Sequence, residues 1–409
     1  MKKFLSIALA LLMVCVMLPV VALAEGSTEQ VVTSVAKLTI GESVTYYDSL
    51  VEAVAAAINK QGAKIDVLKE CNGSGVEVKS PDVLDLTIDF HGFTYTMDGT
   101  AVGSTGYETQ AWHIEKGSKL TLANGKLEAS STLGAWLLFQ NYCDLTLDNM
   151  ELNTQKANCD YVVSNNFGSL TVKGNSKIIA ANGKIAFDIW YGMNNQALYD
   201  DGIKVSFENF TGTVEGDIEY GAANRAKDFE NWQDKASLSI DGGTFIGAIK
   251  KGNANDGLAM ENANISITGG TFSTDVAGYA GDNLVVQVEE DFHVGAAAVA
   301  AVSNASKGET VYVLNGTTLT NVPAGVIIQN RTGDRITVNG KDVELTGDAG
   351  YTVPASNITI IVPGDTTPAE TPKTEDQKNP STGANDVVAA AVALMAVSAL
   401  GMAVLTRKK

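Results

Sequence analysis

A short strand motif, repeated seven times, is the feature that most constrains the fold of this chain. Each copy is an apolar residue, a Thr or Ser, and a second apolar residue. The copies are Leu86-Thr87-Ile88, Leu120-Thr121-Leu122, Leu145-Thr146-Leu147, Leu170-Thr171-Val172, Val205-Ser206-Phe207, Leu238-Ser239-Ile240 and Ile265-Ser266-Ile267. Strand side chains alternate between two faces, so each copy sends its aliphatic pair one way and its hydroxyl the other. One copy cannot bury that pair but stacked copies can, so the repeats predict a solenoid.

A sharp corner is predicted just after most triplets. Gly or Asn, which tolerate positive φ, follow within three residues, as at Asn124-Gly125 and Gly242-Gly243. A further apolar residue comes after most corners, for example Leu127 and Phe245. A repeat of two or three short strands needs about 20–25 residues, which fits the closest spacings between triplets and leaves surface loops in the longer ones.

Over about residues 85–280 these repeats resemble the right-handed parallel β-helix of pectate-lyase-like proteins. The predicted fold class is all-β: this β-helix with a short N-terminal capping helix, a small second α+β module and a C-terminal transmembrane helix. A β-sandwich or a propeller stays open as an alternative, whereas the period does not fit a left-handed hexapeptide β-helix. The predicted division is a signal peptide 1–24, an N-terminal cap module 25–84, the β-helix 85–284, the second module 285–362, a Pro/Thr-rich stalk 363–378 and a sorting signal 379–409.

The first 24 residues have the pattern of a secretory signal peptide. Lys2 and Lys3 precede an uninterrupted apolar run over 4–18, and Ala22 and Ala24 form a small-x-small cleavage site. A membrane anchor is the alternative. The proline after the apolar run and the Ala-x-Ala ending favour cleavage.

The C-terminus combines three elements in order. Asn379-Pro380-Ser381-Thr382-Gly383 is followed by 19 uncharged residues over 387–405 and by the basic tail 407–409. Nineteen apolar residues just span a bilayer as a helix, and the basic tail holds that end in the cytoplasm. The arrangement resembles the cell-wall sorting signal of Gram-positive bacteria that sortase recognises. The family consensus begins Leu-Pro-x-Thr-Gly, so Asn379 departs from it at the first position.

This resemblance implies a covalent route to the cell wall. A sortase thiolate would attack the Thr382 carbonyl, the Thr382–Gly383 bond would break, and a peptidoglycan amine would take the acyl group. The predicted partners are therefore sortase, transiently, and peptidoglycan, covalently, with the membrane involved only before sorting. A plain tail anchor carrying the motif by chance is the alternative.

The net charge of the predicted mature chain limits the classes of ligand that it can bind. A mature chain over 25–382 keeps 24 basic and 46 acidic residues, a net charge of about −22. Nucleic acid requires a basic face, so it is excluded as a partner.

Cys71, Cys143 and Cys159 remain after signal cleavage, and Cys143 and Cys159 could either pair or stay as buried thiols.

A helical pattern precedes the repeats and recurs after them. Ser49-x-x-Glu52 is a capping box that opens an amphipathic helix, which follows a predicted hairpin over 37–47 and precedes a strand at 65–68. A similar helix and strand recur over 298–314. We therefore expect the second module to repeat the first, as a separate small domain.

The sequence offers little for catalysis. Asp200-Asp201 is the only adjacent Asp pair in the repeats and lies in a predicted turn, and Arg225 is the only Arg there. The three His residues are scattered. The stretch 253–257 resembles a calcium loop but lacks the required carboxylates. The prediction is no catalytic residue, no metal and no cofactor.

Aromatic rings are the remaining candidates, because they can stack on sugars. Trp232 is the most loop-like of the four Trp residues and the best ligand candidate, with Trp190 and Tyr191 as further ones. Trp136 lies in an apolar run and is predicted to be in the core. The Thr/Ser row is explained by strand propensity. The resulting hypothesis is a non-enzymatic, wall-anchored surface protein that binds a host or cell-surface glycan or protein. A polysaccharide-acting enzyme and a purely structural spacer are the alternatives.

Overall fold

The seven triplets pair with one another in a single parallel register. A computed structural model of the chain describes residues 33–104, 106–166, 168–191, 202–222, 232–252, 260–344 and 349–355. In it Leu86, Leu120 and Leu145 lie on neighbouring strands, and the same register continues through the other four copies. Thirteen of the fourteen apolar triplet residues are buried, and no Thr or Ser between them is. The predicted all-β class, with parallel sheets, is confirmed.

These strands belong to a main sheet of 21 strands. Between the two terminal modules its strands are β4 Cys71–Gly73, β6 Asp85–Asp89, β7 Thr94–Met97, β10 Lys119–Ala129, β12 Asp144–Asn153, β14 Ser169–Gly174, β15 Lys177–Ile179, β17 Ile203–Phe210, β18 Thr213–Glu215, β20 Ala236–Ile240, β21 Thr244–Ile246, β23 Asn264–Ile267 and β24 Gly270–Phe272.

The predicted corners divide the main sheet into two rows of strand segments. Asn124, Asn149 and Asn209 have φ of 55°, 51° and 51°, the left-handed conformation that Asn tolerates at a sharp turn. Beyond the corners, Leu127 pairs in register with Leu152, and this second apolar row continues to Phe272. Each repeat thus supplies two apolar segments to one core.

A second sheet of eight strands faces the same core. Its strands are β5 Val76–Val78, β8 Val102–Ser104, β9 Tyr107–Ile114, β11 Leu137–Asn141, β13 Tyr161–Asn165, β16 Ile185–Tyr191, β19 Asp217–Ala222 and β22 Ile249–Lys251. All of them pair in parallel except β8, which is antiparallel to β9. Phe187 of β16 packs against Phe207 of β17 with ring centroids 5.6 Å apart, so aromatic side chains join the two sheets.

The N-terminal module is a hairpin, a helix and a strand: β1 Ala36–Ile40, β2 Ser43–Tyr47, α1 Leu50–Ala57 and β3 Ala63–Val67. The Ser49 hydroxyl accepts the Glu52 N–H at 3.2 Å, as the capping box predicts. Helix α1 buries Leu50 and Val54 against the start of the core, and β3 pairs in parallel with β6.

The C-terminal module repeats this order and then adds further strands. Its elements are β25 Val285–Val288, β26 Asp291–Val294, α2 Ala296–Asn304, β27 Thr310–Asn315, β29 Ile327–Asn330 and β32 Gly350–Thr352, beside a three-stranded sheet of β28 Thr318–Leu319, β30 Ile336–Val338 and β31 Lys341–Val343. The expected repetition of helix and strand is present. The module has a core of its own, yet β26 pairs antiparallel with β24, so the expected separate domain is joined to the main sheet by backbone hydrogen bonds.

The predicted segments at both chain ends, 1–24 and 363–409, lie outside the described residues. Neither helix within the described ranges is long and apolar enough to cross a membrane.

Candidate functional site

A row of polar side chains crosses the second sheet, one from each of seven strands. Neighbouring members either pair in register or follow directly after a registered pair. The row, called the polar row below, is Glu77, His113, Gln140, Ser164, Asp188, Glu219 and Lys250. The residues that precede its central members, such as Phe139 and Phe187, are buried and apolar, so strand alternation turns the polar row to the opposite face. Its five central members are nonetheless only 5–6% exposed.

Asp188 is the most perturbed acid of this row. Its carboxylate accepts the Asn165 backbone N–H and, at 3.2 Å, the Ser164 hydroxyl. Burial raises the pKa of Asp188 to about 7, and the charge of Glu219 on the next strand acts in the same direction. These two hydrogen bonds favour the ionised form but do not cancel the burial. Asp188 can therefore give or take a proton near neutral pH.

Glu219 is surrounded by donors. Its carboxylate accepts the Tyr161 hydroxyl at 2.9 Å and lies 3.7 Å from the Lys250 ammonium. Burial and the hydrogen bond to Glu219 both raise the pKa of Tyr161, which stays a neutral donor. Lys250 also binds Asp217 at 2.9 Å, and the hydrogen bond with Asp217 raises the pKa of Lys250. Asp217 and Glu219, two residues apart on β19, thus meet around one ammonium group.

The two central carboxylates differ in what surrounds them, which is the arrangement that acid–base catalysis uses. The protonated form of Asp188 is favoured because its carboxylate is buried beside another acid. Glu219 has a hydroxyl donor and a nearby cation. Sequence reasoning did not bring this pair together, because Asp188 and Glu219 are 31 positions apart in the chain.

Of the predicted aromatic ligands, only Trp190 borders the polar row with part of its surface open. A Cβ added at Gly252 would lie 2.8 Å from Trp190 Cζ3 and 3.9 Å from Glu219 Oε2. The Trp190 ring and the Glu219 carboxylate therefore both lie beside Gly252. Tyr191 is buried and stacks on Trp232 with centroids 6.2 Å apart. Trp232 is 8% exposed and also packs on Tyr220, which assigns these two candidate rings to the core.

The prediction that Trp136 is a core residue is wrong. It is 61% exposed, because the buried apolar run begins only after it, within β11. Its backbone N–H donates to the Thr109 carbonyl at 2.7 Å, which places Trp136 beside the start of β9. Tyr107, the first residue of β9, is 72% exposed. Two exposed aromatic side chains therefore lie near the N-terminal ends of the neighbouring strands β9 and β11, offset by two residues.

A second polar cluster surrounds Asp66 in the N-terminal module. The Asp66 carboxylate contacts the ammonium groups of Lys37 at 2.6 Å and Lys64 at 2.8 Å, and His91 Nε2 at 3.0 Å. Although burial opposes ionisation, these three hydrogen bonds hold the pKa of Asp66 well below its usual range. Asp89 completes an Asp66–Asp89–His91 group with metal-ligand spacing. Because two ammonium groups already neutralise Asp66, we interpret this cluster as an ion-pair network.

The three cysteines within the described residues, Cys71, Cys143 and Cys159, are free thiols. Cys143 and Cys159 are both buried, and burial raises the pKa of Cys159 to about 11. Of the two alternatives for this pair, the structure contains the unpaired one. A high pKa keeps the thiol protonated and poorly nucleophilic.

Several predicted features lie outside the described residues. They are the cleavage site at Ala22 and Ala24, the turn at Asp200-Asp201, Arg225, the loop 253–257 and the motif Asn379-Pro380-Ser381-Thr382-Gly383. No family model, no curated protein and no solved structure matches this chain.

Proposed function

We propose that this chain is a sortase substrate, displayed on the outer wall of a Gram-positive bacterium as a right-handed parallel β-helix that binds glycans. The seven registered triplets support the β-helix, since registered parallel strands with inward apolar pairs are what such a solenoid requires. The signal-like start and the sorting-signal-like end of the sequence support wall display. The acidic mature chain favours a ligand other than a polyanion.

The observation that carries glycan binding is the exposed pair Trp136 and Tyr107. Large aromatic side chains are usually buried, and their flat faces stack well on sugar rings while a polar tip stays in water. Both rings lie near the N-terminal ends of β9 and β11, which are about 4.8 Å apart, and Tyr107 is two residues from Thr109, the neighbour of Trp136. Two stacking faces at this spacing suit neighbouring sugars of one chain.

Glycan binding is tested on an array with the mature protein. Trp136→Ala should lower the affinity for the bound glycan about ten-fold or more, through the loss of one stacking ring. The matched control is Val299→Ala, which trims an exposed apolar side chain of the C-terminal module. No binding to any glycan, or equal binding by both variants, would favour the structural spacer.

Wall attachment is tested separately in a bacterium that expresses sortase. Thr382→Ala removes the residue whose carbonyl would form the acyl-enzyme, so the variant should stay in the membrane fraction. Ser381→Ala, at the variable position of the motif, should still reach the wall. Covalent recovery of Thr382→Ala in the wall fraction would contradict the sorting assignment.

A second candidate function, hydrolysis of a neutral glycan, is favoured by Asp188 and Glu219. Because the two residues pair in register on neighbouring strands about 4.8 Å apart, they suit the closely spaced, retaining arrangement. We propose that protonated Asp188 would donate to the leaving glycosidic oxygen while Glu219 attacks the anomeric carbon. Asp188 would then take a proton from the water that releases the sugar from Glu219. Xylan and mucin glycans are the substrates to assay, by release of reducing ends. Release by the wild type that disappears in both Asp188→Asn and Glu219→Gln would establish hydrolysis, whereas no release would leave binding as the function.

A further inference from the structure

The two terminal modules share one topology but use one sheet edge differently. In the N-terminal module β1 is the central strand, antiparallel to β2 on one side and to β3 on the other. In the C-terminal module β25 is antiparallel to β26 and to β27 in the same way. The helix follows the second strand in both modules. Strands β2 and β26 are therefore equivalent.

The outer edge of β26 is occupied. Val294, His293 and Phe292 pair antiparallel with Gly270, Thr271 and Phe272 of β24, which is the last strand of the repeats. Both hairpins turn through two residues, so aligning them at the turn makes Tyr46, Thr45 and Val44 of β2 the equivalent positions. The C-terminal module thus shows what this edge accepts: a short, uncharged, antiparallel strand.

The equivalent edge of β2 carries no strand in the described part of the chain. Ser43, Val44 and Thr45 are exposed, and Val44 is 50% exposed. The strand Ser-Val-Thr-Tyr-Tyr has high β-propensity and lacks the Lys, Pro or bulge that normally protects an edge. Such an edge is a template for an additional strand.

We propose that the β2 edge is a docking site for an extended, uncharged segment of another polypeptide, added antiparallel, of the kind that Gly270–Phe272 presents to β26. A second copy of β2 fits poorly. Antiparallel pairing centred on Thr45 would place Glu42 of one copy opposite Asp48 of the other, and like charges opposite each other destabilise a sheet. Strand β24 has no charged residue among its three, nor do the residues on either side of it.

The chain itself supplies the probe, a labelled peptide of residues 264–274. We expect it to bind the full-length mature protein saturably in fluorescence anisotropy. Val44→Lys combined with Thr45→Lys adds two charges to the edge and should weaken binding about ten-fold or more. Val299→Lys, which adds one charge at a 42% exposed residue of α2, is the control and should not affect binding.

A second measurement does not depend on the variants. Hydrogen exchange of wild-type amides over 43–47 should slow when the peptide is added, because edge N–H groups gain acceptors. No binding up to about 1 mM peptide, or unchanged exchange over 43–47, would overturn the proposal. Concentration-dependent dimers that the edge lysines abolish, without peptide binding, would overturn it in favour of self-pairing. None of these outcomes bears on glycan binding or wall attachment.

Discussion

The outer face of the main sheet and the polar row of the second sheet are built on the same repeat but differ in content. On the main sheet the same position is Thr or Ser in all seven triplets, and each of these residues keeps contact with solvent. On the second sheet the equivalent position changes at every strand, from Glu77 through His113 to Lys250. Its central members are buried and hydrogen-bonded.

This difference indicates that the Thr/Ser row serves the fold, whereas the polar row is the candidate for a functional site. A row that repeats one residue type fulfils one requirement many times, namely a strand-forming side chain on a solvated face. In a row of different buried polar residues, each side chain loses hydration free energy on burial. No single structural requirement explains all of these residues, as strand propensity explains the Thr/Ser row. Such a cost is expected where a site has a specific ligand or reaction.

The largest effect is expected where the register of the main sheet is broken. Leu145→Asp places a charge at a position that is 1% exposed, between Leu120 and Leu170, and should cost more than about 4 kcal/mol of unfolding free energy. Thr146→Asp lies on the outer face and should cost less than about 1 kcal/mol. Urea unfolding followed by circular dichroism measures both.

Leu145 and Thr146 are adjacent in the chain, so Leu145→Asp and Thr146→Asp differ mainly in the face of the sheet that receives the charge. Thr146 already lies two residues from Asp144 and Asp148, so its variant adds some repulsion without desolvation. Equal destabilisation of the two variants would contradict the register and the assignment of the two faces.

A smaller, pH-dependent effect is expected at Asp188. Its pKa is about 7 in the folded protein against an ordinary value of 3.8, so the folded state binds the extra proton between these values. The contribution of Asp188 to stability is present below pH 4 and is lost as the pH rises to about 7. Asp188→Asn mimics the protonated acid at every pH. The difference in unfolding free energy between Asp188→Asn and the wild type should therefore shift in favour of the variant by roughly 2–3 kcal/mol between pH 5 and pH 8.

The test is a pair of urea titrations of each protein, one at pH 5 and one at pH 8. Taking the difference between wild type and Asp188→Asn removes the other titrating groups from the comparison. A difference that stays constant between the two pH values would mean that Asp188 is ionised throughout. The polar row would then lose its proton donor, and the hydrolytic candidate with it.

The scaffold could be predicted from the sequence because it repeats. Period-2 alternation in Leu-Thr-Leu and the Asn and Gly corners identify the strands and their faces, and stacking requires them to align. The capping box at Ser49 likewise identified a helix from local chemistry alone. Trp136 escaped this reasoning because it precedes the strand whose apolar run suggested burial, and strand boundaries are the least certain part of a sequence pattern.

The polar row could not be predicted in the same way. Asp188 lies among buried residues of β16, and its neighbours in the sequence do not identify a partner for its carboxylate. Its partner Glu219 is defined only by the pairing of β16 with β19, and strands β17 and β18 lie between those two strands in the sequence. One signal was available: a charged residue inside an otherwise apolar strand, at Ile185–Tyr191, is costly and therefore informative.

The smallest expected effect tests whether the polar row is a connected unit. Tyr161→Phe removes the hydroxyl that donates to Glu219 at 2.9 Å and leaves the ring in place. Since Glu219 is 5% exposed, water replaces the lost donor poorly, and the variant should lose about 1 kcal/mol of unfolding free energy at pH 7. Tyr107→Phe removes a hydroxyl from a tyrosine that is 72% exposed, and should change stability by less than about 0.5 kcal/mol. If both variants unfold at the same urea concentration as the wild type, the Tyr161–Glu219 hydrogen bond adds nothing to stability. The polar row would then be a set of independent side chains.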